Sequence, residues 1–178
     1  MVASDHNVPP FRPQGVRLKK AKFFKRSELV VLRGLPGSGK STKAAKDFPE
    51  HLHYEPDHLF CDTRGRYRFD MQVFEQAKGW VLMMADFALS RGEDVVVSDV
   101  FAKLDELEPY IDVARYHGAD VRVIDCVGDY GNQHKVPLTV LSVMAEAFEP
   151  IPTEGRVLTF TPVYDGDGID EYIQQENA

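Results

Sequence analysis

The sequence predicts an α/β fold, a parallel sheet with helices on both faces, and three observations carry that expectation. Short continuous apolar runs such as Leu29-Val30-Val31-Leu32 and Val95-Val96-Val97 suit strands buried on both sides. Longer stretches with apolar residues at helical spacing lie between them. Regular alternation of the two implies parallel strands joined by helical crossovers.

Leu29 to Leu32 reads as the first strand. A glycine-rich segment follows it, and Ser41 to Asp47 reads as a helix. His51 to Tyr54 is a second short strand, and Pro56 to Arg68 a polar loop. Asp70 opens a long helix in which Val73, Phe74, Ala77, Trp80, Val81, Met84, Phe87 and Ala88 fall at helical spacing; the Met83-Met84 pair reads as core, and Gly92 ends the helix. Val95 to Val97 is the third strand. Asp105 to His117 is helical, with Leu107, Tyr110, Ile111 and Ala114 on one face, and Gly118 stops it. Val121 to Cys126 is the fourth strand and Val127 to Lys135 a loop. Pro137 suits a first helical position, and Leu138, Leu141, Met144 and Phe148 line the helix that follows. Val157 to Thr161 is a fifth strand.

A chain of 178 residues is long enough for one sizeable core, and 43% hydrophobic with 28% charged residues is ordinary for a globular protein. No apolar run approaches the ~20 residues of a membrane span, and the N-terminus lacks a signal pattern, so the expectation is a cytoplasmic protein. Cys61 and Cys126 form no CxxC pair and read as reduced thiols. Net charge is −7, yet Arg12, Arg17, Lys19, Lys20, Lys22, Lys25 and Arg26 follow one another without an acid. The organisation expected is a basic arm over residues 1–27, one domain over 28–164 and an acidic, weakly structured tail over 165–178. A basic arm on an acidic body suits either a polyanionic partner or plain solvation.

The segment Gly34-Leu35-Pro36-Gly37-Ser38-Gly39-Lys40-Ser41, with Thr42 after it, fits GxxxxGK[ST] between a buried strand and a helix. Its glycines let backbone N–H groups close on phosphates, and the next helix adds the positive end of its dipole. Lys40 supplies charge to the β- and γ-phosphates, and the Ser41 hydroxyl suits Mg²⁺, so ATP and Mg²⁺ are the expected cofactors. Asp57, just past the second strand, is placed to accept a proton from an attacking hydroxyl. Asp99, past the third, is placed to hold Mg²⁺ through its water shell or to brace the acceptor. Both also suit ordinary turns or caps. Arg64, Arg66 and Arg68 are candidate contacts to phosphate, or an exposed charged loop; Lys103, Arg115 and Lys135 are further cations. His51, His53 and His58 lack the spacing of a zinc site, and His53 reads as structural.

From Leu29 to Pro150 the chain resembles the kinase domain of phage polynucleotide kinase and its AAA_33-type P-loop relatives. The matching pieces are the loop through Thr42, Pro56-Asp57-His58-Leu59-Phe60, Tyr67-Arg68-Phe69-Asp70, Val97-Ser98-Asp99, and Asn132 to Pro137 with Val140, Leu141 and Met144. The resemblance implies a three-layer P-loop kinase fold with a five-stranded parallel sheet in the order 2-3-1-4-5. It also implies Lys40 and Ser41 on ATP and Mg²⁺, Asp57 as general base, and Asp99 as the second essential carboxylate at the acceptor side. Two positions depart from the family. Phe60 stands where relatives carry an arginine that grips the phosphate beside a 5′ hydroxyl, and Gly131 stands where they carry a lid arginine. Lys135 or the arginines at 64, 66 and 68 would then have to neutralise the γ-phosphate. Phages with hypermodified thymidines use small P-loop kinases on 5-hydroxymethyluracil already in DNA; for such an acceptor Phe60 could stack on the base. The resemblance thus implies an ATP-dependent kinase with DNA as partner and the base hydroxymethyl as leading acceptor. A 5′-hydroxyl polynucleotide kinase, a small-molecule kinase and a nucleotide-binding module without transfer share the same loop. The sequence leaves the oligomeric state open.

Overall fold

Valine, leucine and isoleucine fill strands whose two faces are both covered. In the computed structural model, which describes residues 26–64, 66–131, 136–151, 157–164 and 169–175, such residues form β1 (Glu28–Arg33), β2 (Leu52–Tyr54), β3 (Val95–Asp99) and β4 (Asp120–Asp125). The four are parallel in the order β2-β3-β1-β4. Arg33 lies in register with both Asp99 and Asp125, so the carboxyl ends of the three central strands finish level.

The pleat sends alternate residues to opposite layers. Leu29, Val31, Val95, Val97, Val121 and Val123 pack against α2 (Phe74–Ser90) and α3 (Glu108–His117) through Val81, Ala85, Tyr110 and Ala114. Val30, Leu32 and Val96 face the other way, onto Ala44 of α1 (Lys40–Asp47) and Phe48 just beyond it. The expected three layers are therefore present, with the core split by the sheet.

The helices begin later than periodicity suggests. Asp70 accepts the Gln72 N–H and caps a short 3-10 turn, Met71–Val73, that leads into α2. A second such turn, Leu104–Leu107, precedes α3. Val73 and Phe87, expected on the buried stripe of α2, are exposed, as is Met83. The stripe consists of Ala77, Val81, Ala85 and Ala88 with Leu89, a row in which small alanines let the helix lie close to the sheet. Gly118 ends α3 in the left-handed region, as expected.

The fifth strand departs from the expected sheet. β5 (Val157–Tyr164) runs antiparallel to β4, with Val157 opposite Ile124 and Phe160 opposite Val121. It pairs in turn with β6 (Ile169–Gln175), a strand within the acidic tail expected to be weakly structured. The sheet thus has six strands in the order β2-β3-β1-β4-β5-β6 in place of five parallel ones. Val157 stands beside Ile124 near the carboxyl end of β4, and β5 runs from there toward the amino end. Before it, α4 (Leu138–Glu146) is nine residues long and about 14 Å from end to end. Val140 and Met144 of α4 face a cleft above the carboxyl ends of the strands. No residue of α4 is buried, and Leu138 and Val143 are exposed; of the apolar lining expected for this helix only Met144 reaches the cleft, beside Val140, while Phe148 lies beyond the helix against Arg33. The basic arm lies outside the described residues except for Arg26, which pairs with Asp120 at 3.5 Å, and the buried Ser27, whose carbonyl accepts the Asp120 N–H.

Candidate active site

Arg33 ends β1, and the chain turns over the edge of the sheet through residues 34–39 before α1 begins at Lys40. The turn is anchored on both sides. Gly34 donates its N–H to Val100 O after β3, and Cys126 after β4 donates to Arg33 O. Within the loop Ser38 N–H reaches Leu35 O. Gly37 and Gly39 sit at φ +84° and +89°, values that disfavour any side chain. Space forbids one as well. A Cβ on Gly37 would strike the Gly131 carbonyl, and one on Gly39 would lie 2.7 Å from the Tyr130 ring. The segment after β4 thus covers the loop, joined to it by Tyr130 N–H to Gly37 O. Glycines at left-handed φ followed directly by a helix N-terminus leave backbone N–H groups bare for a phosphate chain, and the loop fits ATP on that ground.

Lys40 lies at the floor and donates to Gly34 O at 2.8 Å and Leu35 O at 3.1 Å. Burial lowers its pKa, while Asp99 and, more weakly, Glu55 and Asp57 counter this. Pro36, Gly37, Gly39, Lys40, Ser41 and Thr42 all line a cleft of about 550 Å³; Gly34 and the buried Ser38 stand behind it.

Asp57 and Asp99 line the same cleft, as their places after β2 and at the end of β3 predict. Asp57 sits in a short 3-10 turn, Pro56–Phe60, where a plain loop was expected. Its Oδ1 accepts the Tyr67 hydroxyl at 2.8 Å. Burial and that carboxylate push the Tyr67 pKa well above its ordinary range, so Tyr67 remains a donor. Tyr67 reaches Asp57 because Cys61 and Tyr67 form an antiparallel bridge that folds the loop back. Asp99 is partly buried, and burial raises its carboxyl pKa against the opposing pull of the Val100 N–H (2.7 Å), Lys78 and Lys40.

Other predicted contacts are not brought together. Phe60 is 4% exposed and packs among Tyr67, Phe69 and Phe74, so it cannot stack on a ligand. The exposed aromatic of that cluster is Phe69, which lines the cleft with Met71. Arg66 is held by Asp62 at 2.7 Å, and neither it, Arg64 nor Arg68 lines the cleft. All three are exposed, Arg64 and Arg66 within the turn that the Cys61–Tyr67 bridge closes and Arg68 just past it. Lys135 lies outside the described residues. Gly131 is exposed beside the loop. His53 is structural, as expected: its Nε2 lies 2.7 Å from Ser98 Oγ, and burial lowers its pKa.

Sequence reasoning missed Glu55, which also lines the cleft. Its Oε2 accepts Ser41 Oγ–H at 2.7 Å and Ser98 Oγ–H at 2.9 Å. No motif marks it; the signal available was an acid two residues before Asp57 at the end of a strand. Hydroxyl and carboxylate oxygens suit Mg²⁺, which commonly takes one or two protein ligands plus substrate phosphates. The donors around Ser41 therefore fit an ion that arrives with the nucleotide. Among the described residues no group of three or more His, Cys, Asp or Glu side chains is arranged to hold a metal. Nor is any described helix long and apolar enough to cross a membrane.

The pattern of the AAA_33 family, described as an AAA domain, matches residues 29–135. NEDD4-binding protein 2 of Homo sapiens is 31% identical over 93 residues, 50% of this chain but 5% of that protein, so the chain spans a small part of this relative. Among solved structures, the Pnkp1/Rnl/Hen1 RNA repair complex aligns at 18% identity with a TM-score of 0.49, covering 75% of this chain and 43% of the other. The APS kinase CysC of Mycobacterium tuberculosis aligns at 23% identity with a TM-score of 0.44, covering 63% of this chain and 82% of the other.

Proposed function

The chain belongs to the AAA_33 family of P-loop, kinase-like domains, and we propose on that premise that it transfers the γ-phosphate of ATP to a hydroxyl on DNA. The leading acceptor is the hydroxymethyl group of 5-hydroxymethyluracil within DNA. The observation that carries the acceptor class is the far wall of the cleft. Beyond Asp57 it is built of Phe69 (48% exposed), Met71 (71% exposed), Phe74, Val140 and Met144, and Lys40 is the one cation lining the cleft among the described residues. A nucleobase has apolar faces that pack on aromatic and thioether surfaces. A base hydroxymethyl must leave the helix stack to reach any such cleft. Burial of Phe60 and the placement of Arg64, Arg66 and Arg68 off the cleft leave the acceptor wall apolar, which favours a base over a phosphorylated strand end.

In this reading the loop N–H groups and Lys40 hold the β- and γ-phosphates. Asp57, oriented by Tyr67, accepts the proton of the acceptor hydroxyl as its oxygen bonds to the γ-phosphorus; the bond from that phosphorus to the bridging oxygen breaks and ADP leaves. Asp99 braces the acceptor side. Ser41 would hold Mg²⁺, which supplies positive charge to the phosphate oxygens.

The test uses γ-labelled ATP and duplex DNA whose 5′ ends are blocked with phosphate, with and without 5-hydroxymethyluracil. Label is expected only on DNA that carries the modified base. Label confined to free 5′ ends in unblocked controls would overturn the acceptor in favour of a 5′-hydroxyl polynucleotide kinase. Label on free nucleosides or sugars, unaffected by removing residues 1–26, would move the acceptor to a small molecule. No transfer at all, with ATP binding intact, would leave a nucleotide-binding module.

A further inference from the structure

The Ser41 hydroxyl donates its proton to a carboxylate that belongs to no part of the phosphate loop. Glu55 Oε2 takes it at 2.7 Å and takes the Ser98 proton at 2.9 Å. Since Ser98 spends its proton on Glu55, the 2.7 Å contact between Ser98 Oγ and His53 Nε2 has the imidazole N–H as donor. The order is His53 to Ser98 to Glu55, a chain that begins on β2, crosses to β3 and ends beneath α1. Oε1 lies 3.6 Å from His58 Nε2. The carboxylate is thus held from the sheet side and aimed at one atom of the loop, Ser41 Oγ. The other two acids of the cleft are differently engaged: Asp57 with Tyr67, and Asp99 with the Val100 N–H.

We propose that Glu55 is the outer carboxylate of the metal site, the group that accepts hydrogen bonds from water on an ion held at Ser41 and thereby sets the ion's affinity. This rests on the reading of the loop as an ATP site. One feature favours it over simple bracing. A brace between two serine hydroxyls needs an acceptor and no charge, and glutamine would serve, whereas a divalent ion's water shell is oriented and held by anionic partners.

Glu55→Gln keeps the acceptor oxygen and removes the charge, so it separates the two roles. The readout is binding of a fluorescent ATP analogue, in EDTA and across a Mg²⁺ titration, with Mn²⁺ spin resonance as a direct view of the ion. Expected is unchanged binding in EDTA and a rise of about 10- to 100-fold in the Mg²⁺ concentration at half-effect. A midpoint within about twofold of the wild type, below the span outer partners contribute, would overturn the assignment. Thermal melting checks that the variant folds. Should it not, Ser98→Ala removes the brace that aims Glu55 while leaving the charge, and it must shift the midpoint in the same direction; an unchanged midpoint overturns the proposal equally. If the wild type binds no ATP in either condition, the loop reading itself falls, an outcome distinct from an unchanged midpoint in a protein that binds.

Discussion

Replacing Arg33 by methionine should unfold the molecule far more readily than its place at a strand end suggests. Arg33 is the largest fully buried side chain. One terminal nitrogen donates to Glu149 O at 2.7 Å and Ala102 O at 3.2 Å, its Nε lies 3.3 Å from Asp125, and its plane covers Phe148 at 4.3 Å. Burial lowers its pKa, with Asp125 and Glu149 opposing that shift. Methionine fills much of the volume but strands two carbonyls, at about 1–3 kcal/mol each if left unpaired. It also removes the guanidinium that lies 3.3 Å from Asp125, whose side chain is 6% exposed. Breaking such a buried pair typically costs about 3–5 kcal/mol, and the terms overlap, so ~4 kcal/mol is the working figure. For a domain of this size each kcal/mol lowers Tm by roughly 2–4 °C, giving a fall of roughly 8–16 °C by calorimetry or circular dichroism. The double variant Arg33→Met with Asp125→Leu should recover part of the loss, because the buried acid that faced the guanidinium is gone as well. A single-variant loss below about 1 kcal/mol would refute the reasoning, since it would mean that water reaches the pair.

Gly39→Ala places a methyl against the Tyr130 ring at a left-handed φ; affinity for ATP should fall about tenfold, from roughly 1–2 kcal/mol of backbone strain, and Gly37→Ala, which meets backbone, should be worse by the same calorimetric titration. Asp57→Asn should lower kcat about a hundredfold or more in the labelled-ATP assay, with ATP binding retained. Tyr67→Phe leaves that base in place but unaimed, and kcat should fall about tenfold with KM for ATP unchanged, a smaller effect than loss of the base itself. Asp99→Asn should abolish transfer yet stabilise the fold: burial raises the Asp99 pKa above its ordinary 3.8, so the folded state holds the proton more tightly than the unfolded chain. Ionisation of Asp99 therefore subtracts stability as pH rises above that ordinary value, and the gap in Tm between variant and wild type should widen from there and level off once Asp99 has ionised in the folded state.

The parts of this molecule written in contiguous residues were legible in the sequence. The loop from Gly34 to Ser41 is one segment with one backbone task, and the runs at residues 29–32 and 95–97 can only be strands buried on both faces. Asp57 and Asp99 followed from knowing that ligands gather where parallel strands end. What depends on meetings in space was not legible. Glu55 has meaning only once β2 lies beside β3 and α1 sits above them, so that Ser41 and Ser98 converge on one oxygen. The direction of β5 was not legible either, because an apolar run does not encode which way it pairs with its neighbour, here Val157 with Ile124 and Phe160 with Val121. Phe60 illustrates a subtler failure. Its position relative to Asp57 suggested a ligand contact, but Tyr67, Phe69 and Phe74 are brought around it by the fold-back at Cys61.

That aromatic cluster also limits which substrates the scaffold can acquire by gradual change. An arginine at position 60 would have to carry its charge into a pocket of three rings or force the turn at Pro56–Phe60 to open, and the same turn carries Asp57. A clamp for strand ends therefore cannot be gained at this site by one substitution without disturbing the residue proposed to take the proton. The side chain at position 60 is part of the floor, and change in the far wall of the cleft is left to work through Phe69, Met71 and the face of α4 that carries Val140 and Met144.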